Sequence, residues 1–135
     1  MKRLLLNEVE VCNLLNIKPR AISSAGIPKV KLGRMVLYDV DDILTWIESS
    51  KKAGATLPSL IETFFETEEI KGISNLSLAL GAPYRFIFSK VKKGQLPFTR
   101  RNGDYVFSIK ALKDWIKEAK RKWKQQTERE EQQKQ

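Results

Sequence analysis

The chain has 135 residues, 41% apolar and 30% charged, with a formal net charge of +9; this is globular composition with room for one ordinary domain or two very small ones. One cysteine, Cys12, and no histidine exclude an intrachain disulfide, the usual zinc ligand sets and histidine-based acid–base catalysis. The apolar run in MKRLLLNEVEV is too short for a secretory signal, and no stretch is apolar enough to span a membrane, so a cytoplasmic protein is expected.

After Leu4-Leu5-Leu6, Asn7 and Glu10 have capping-box spacing and predict a helix start. Val11, Leu14 and Leu15 continue it at helical spacing, Asn16 ends it, and Pro19 suits the first turn of a second, short helix reaching about Ser24. Gly26-Ile27-Pro28 breaks the chain, and residues 29–38 read as a β-hairpin around Gly33. Asp39 and Asp42 then cap a helix with the apolar stripe Val40, Ile43, Leu44, Trp46 and Ile47. These elements make a first unit over residues 1–50.

Residues 51–69 have linker composition at their start, followed by Leu60, Ile61, Phe64 and Phe65 at helical spacing. A short amphipathic helix wedged between two units is expected there, with Glu66, Glu68 and Glu69 on a solvated helix face. A wedge of this kind would hold two readers at a fixed separation, suited to adjacent DNA half-sites.

From residue 70 the plan repeats. Pro28 and Pro97, and Trp46 and Trp115, stand 69 residues apart, and the same offset pairs Ile27 with Leu96, Tyr38 with Phe107, Val40 with Ile109 and Ile47 with Ile116. Two copies of one small folding unit are implied. Copy two, residues 70–123, opens with Ile73, Leu76, Ala79 and Leu80 on one helical face, ended at Gly81. Pro83 starts a longer helix to about Lys93, and a hairpin follows at 98–107 around Asn102-Gly103, the dipeptide preferred in type I′ turns. Ser108 caps the last helix, which is expected to run to Trp123; the polar residues 124–135 are expected to fray or be disordered.

Helix, turn, helix, two-stranded wing and helix, in that order, define a mainly α chain with small β-hairpin wings, read as tandem winged helix-turn-helix domains. The segments NEVEVCNLLNI (7–17) and GISNLSLALGA (72–82), Ile27-Pro28 and Leu96-Pro97 before each wing, and YDVDDILTWI and FSIKALKDWI behind it resemble the excisionase/MerR-like DNA-binding family over about residues 4–48 and 70–118. The resemblance implies a non-enzymatic, double-stranded-DNA-binding protein with no cofactor, metal or small-molecule substrate, associated with the nucleoid. Similar proteins act as excisionases in DNA recombination or as small transcription regulators, commonly on phages, plasmids and other mobile elements.

The copies are not equivalent. Leu80 to Pro97 spans four residues more than Leu15 to Pro28, about one helical turn, and the difference falls in the second helix, which reads the major groove in helix-turn-helix proteins. Charge follows length: residues 72–107 carry six basic groups and one acid, Asp104, whereas residues 1–50 are near neutral. Copy two is therefore expected to lead in binding a polyanion. Ile87 and Val91 should face inward, with Tyr84, Arg85, Ser89, Lys92 and Lys93 outward. Arg85 suits guanine, Ser89 close approach, and the lysines phosphates, or alternatively the helix dipole. Phe88 fits ordinary core packing better than contact with a thymine methyl.

At the wing tip Arg100 and Arg101 have no evident packing role and suit a minor groove or a phosphate pair. Lys18, Arg20, Lys31 and Arg34 are the matching candidates in copy one, although Asp39, Asp41 and Asp42 lie nearby in sequence. Copy one is open to two readings, a weak DNA contact or a protein-binding surface. Trp46 and Trp115 are expected to pack inside rather than stack on bases. The alternative function is a protein–protein adaptor in a DNA-associated complex. It would meet a recombinase, RNA polymerase or another protein through copy one or the C-terminal helix.

Overall fold

A computed structural model describes residues 2–50 and 64–133. Copy one comprises β1 (Leu5–Asn7), α1 (Glu8–Leu15), α2 (Pro19–Ser24), β2 (Val30–Leu32), β3 (Met35–Asp39) and α3 (Val40–Ser50). Copy two follows the same order with β4 (Glu69–Lys71), α4 (Ile73–Leu80), α5 (Tyr84–Lys92), β5 (Thr99–Arg101), β6 (Asp104–Ser108) and α6 (Ile109–Gln133). The described residues thus form a mixed α/β structure of six helices and two small antiparallel sheets, not a mainly α chain with hairpins alone.

Each sheet has three strands, ordered β1-β3-β2 and β4-β6-β5. The third strand is the difference from the expected two-stranded wing. Leu5-Leu6-Asn7 and Glu69-Ile70-Lys71 are too short to show period-2 patterning, and they form because β3 and β6 offer a free edge. Register repeats as well: Leu6 faces Tyr38 and Val30 faces Leu37, as Ile70 faces Phe107 and Thr99 faces Val106. Glu68 and Glu69 consequently lie at and beside a strand, not on a helix face.

Local signals act as their chemistry demands. The Asn7 side chain accepts from the Glu10 amide at 2.8 Å while the Glu10 carboxylate accepts from the Asn7 amide at 3.0 Å, a reciprocal capping box. Asn16 ends α1 in the left-handed conformation, and Pro19 opens α2. Asn102 and Gly103 have φ of 52° and 85°, as a type I′ turn requires. α2 has six residues and α5 nine, so three of the four extra residues of copy two lie in the helix itself. α6 continues as helix to Gln133, through the stretch expected to fray. The amphipathic helix expected around residues 58–65 falls, up to residue 63, outside the described residues; Phe64 and Phe65 lie outside any helix.

Two cores hold the fold together. One belongs to copy one alone and joins Leu6, Val11, Cys12, Ile22, Ile27, Tyr38, Val40, Ile43 and Ile47. The other takes Leu4, Leu5, Val30, Leu32 and Leu37 from copy one into the interior of copy two, beside Leu76, Leu80, Ile87, Phe107, Leu112 and Ile116. The Leu4 amide also donates to the Ala79 carbonyl at 2.8 Å. Two of the three indole N–H groups close their own units: Trp46 donates to Ala25 at 3.1 Å and Trp115 to Gln95 at 2.9 Å, each just past the second helix. Those bonds occupy the tryptophans in structure, in line with the inward position expected of them.

Candidate nucleic-acid interface

α5 is held by one edge. Ile87 and Val91, four residues apart and fully buried, seat it against Leu76 and Leu80 of α4, and helical rotation then directs Arg85, Ser89 and Lys92 away from the core. Arg85, Lys92 and the capping Lys93 are exposed, and Ser89 is half-buried. Among the described residues none of the three cations has a carboxylate partner. α5 itself contains no acid, so its outer surface carries an uncompensated positive potential.

Aromatic rings flank this basic face. Tyr84, 48% exposed, stacks on Phe88, 39% exposed, with ring centroids 6.1 Å apart and planes 15° from parallel. Phe88 is therefore a surface residue, which corrects its expected place in the core: one turn from Tyr84, it shares that residue's exposed flank. The Lys92 ammonium lies 5.3 Å from the Phe88 centroid, within cation–π range. On the opposite flank Phe86 packs against the shared core, with Lys90 above it at 5.3 Å.

The second wing carries its arginines differently from expectation. Both have partners within the chain. Arg100 donates to the Gly103 carbonyl at 3.1 Å and lies over the Tyr105 ring at 4.6 Å. Arg101 makes a two-bond fork to Glu69, at 2.9 and 3.1 Å. The third strand is the cause, because β4 brings a carboxylate to the sheet that carries the wing. Both guanidinium groups remain exposed, but among the described residues only Arg101 has its charge matched.

In copy one, Lys18 and Arg20 are exposed at the start of α2, a helix anchored by the fully buried Ile22. Lys31 lies against the Trp123 ring of α6, with its ammonium 4.7 Å from the centroid. Arg34 is exposed in the β2–β3 turn. That turn abuts α5: a Cβ placed on Gly33 would lie 3.1 Å from the Phe86 ring. The first wing is thus packed into the angle between α5 and α6.

The acids of copy one are neutralised across the same seam. Lys120 of α6 donates to Asp39 at 3.0 Å and to Asp42 at 2.8 Å, and Lys113 lies 3.4 Å from Asp41. Burial, with the neighbouring Asp42 charge, holds the Asp39 carboxyl above the usual carboxylate range despite the lysine. Burial pulls Lys120 downward, but its bonds to Asp42 and Asp39 prevail and raise it. These contacts join residues about 80 apart, so no local sequence pattern announces them. The sequence likewise gives no sign that Lys90, Lys122 and Trp123 share a groove with Lys31.

Cys12 is buried and lies in the copy-one core. Among the described residues no group of histidine, cysteine or carboxylate side chains is arranged to hold a metal, and no helix is long and apolar enough to cross a membrane. Comparison of the chain with protein-family models, curated proteins and solved structures finds no significant match.

Proposed function

We propose that the chain is a double-stranded-DNA-binding protein built from two winged helix-turn-helix units, of excisionase or transcription-regulator type. The observation that carries this reading is the outer face of α5. Among the described residues it presents Arg85, Lys92 and Lys93 without a carboxylate partner, around a small residue, Ser89, that permits close approach. In the proposed complex α5 lies in the major groove, with Arg85 placed to donate to a guanine edge and Lys92 and Lys93 to phosphates. Arg100 reaches the adjoining backbone from the second wing. Copy one, with its short α2 and its wing packed against α5 and α6, serves mainly as a brace.

The test is a salt titration of full-length protein on mixed-sequence duplex DNA. The full chain is needed because Leu4, Leu5, Leu32 and Leu37 complete the core that seats α5. The logarithm of the binding constant should fall linearly with that of salt concentration, by about 0.9 per phosphate neutralised. Arg85→Ala and Lys92→Ala should each weaken binding. Absence of binding near physiological salt would remove this reading and leave the adaptor.

A further inference from the structure

We infer that the groove between the first wing, α5 and α6 is a second nucleic-acid contact, holding one sugar–phosphate strand beside the α5 major-groove site. This rests on the DNA-binding reading and extends it to residues of both copies. The groove encloses about 650 Å³ and is lined by Lys31 of β2, Gly33 of the first turn, Lys90 of α5, and Trp115, Lys122 and Trp123 of α6. Among the described residues its lining has a single carboxylate, Glu118, and that group is forked to Arg121. Three lysines from three elements therefore converge in a groove whose one lining carboxylate, among the described residues, is already matched.

The position of the groove decides which polyanion fits. Lys90 follows Arg85 by five residues, which at about 100° per residue places it on a flank of α5, not on the face opposite Ile87 and Val91. A helix in the major groove is bounded on each side by a phosphate strand, because the groove is only about 12 Å wide. Tyr84 and Phe88 cover one flank of α5; the other meets the first wing at Phe86. Lys31 and Lys122 line the same groove as Lys90 on that second flank. Charge donated from three elements to one strand positions the helix without reading sequence. The packed first wing is then part of the DNA-binding surface of copy two, and one chain makes one composite site.

The experiment compares wild-type protein with Lys31→Gln/Lys90→Gln/Lys122→Gln and with the matching triple Lys→Arg variant, all full-length. Salt titrations on mixed-sequence duplex are run after thermal melts show all three folded. The glutamine variant should bind with a salt slope shallower by about 2 to 3, one phosphate contact per lysine, and the arginine variant should keep the wild-type slope. Sodium tripolyphosphate, added as competitor, should displace DNA from wild-type protein more readily than from the glutamine variant. A glutamine variant with unchanged slope and intact binding would overturn the groove while leaving α5 as the reader. Tripolyphosphate that binds wild-type protein without displacing DNA would also overturn it, by making the groove a small-anion site. Failure of wild-type protein to bind duplex at all would instead remove the DNA reading on which the groove depends.

Discussion

Lys120→Met tests whether the two copies stand or fall together. The Lys120 side chain is 19% exposed, and its partners Asp39 and Asp42 are 14% and 25% exposed. Methionine keeps most of the aliphatic stem but leaves two half-buried carboxylates without their cation. Removing one partner of a buried pair costs about 3–5 kcal/mol; partial access to water here lowers the figure to roughly 2–3 kcal/mol. At this chain length each kcal/mol moves the melting temperature by about 4 °C, so the variant should melt about 8–12 °C lower near pH 7. The loss should shrink in acid. Asp39 already takes up a proton above the usual carboxylate range, and without the lysine it does so at still higher pH, which cancels the unpaired charge. Urea unfolding followed by tryptophan emission is the assay, with Trp46 reporting on copy one and Trp115 and Trp123 on copy two. One transition at lower urea, partly restored by adding Asp42→Asn, is expected. A loss below about 0.5 kcal/mol, or one of equal size at pH 4 and pH 8, would refute the argument.

Other outcomes follow from the same contacts. Glu69→Gln frees Arg101 from its fork and should strengthen duplex binding, whereas Arg100→Ala should weaken it more than Arg101→Ala does; titrations at one salt concentration compare all three. Gly33→Ala combines a φ of +62° with a Cβ 3.1 Å from the Phe86 ring and should cost about 1–3 kcal/mol in urea melts; Gly103→Ala, at φ +85° with nothing within 4 Å, should cost only the backbone part, about 1 kcal/mol. Lys120 is held protonated above its ordinary range. The stability it contributes should be complete below that range and lost as pH rises through the raised value, which an alkaline melting series will show and Lys120→Met will abolish. Phe88→Ala should lower affinity for duplex containing thymine, with little effect on duplex in which deoxyuridine replaces it, if in the proposed complex the exposed ring meets the methyl.

Much of the fold was legible locally. The Asn7–Glu10 box, the Pro19 and Pro83 helix starts, the Asn102-Gly103 turn and the 69-residue offset all act over a few residues or by direct repetition, and each appears in the structure where the sequence places it. The outward set on α5 was legible too, since Ile87 and Val91 alone orient a nine-residue helix. Phe88 was not, because which flank of α5 is covered depends on the elements packed around it, which helical spacing alone does not define. The strands β1 and β4 were not either, being three residues long and formed only because a neighbouring edge receives them.

By itself, then, the sequence determined that one unit occurs twice, which copy has the longer second helix, and where its positive charge is concentrated. Tertiary structure alone decided which charges stay available. Glu69 reaches Arg101, and Asp39 and Asp42 reach Lys120, across 32 to 81 residues. It also decided that the first wing lies against α5. Helical and strand periodicities are set by backbone geometry within a few residues, so they can be read along the chain. Charge pairing and the packing of one copy on the other depend on distances in space, which only the folded chain defines.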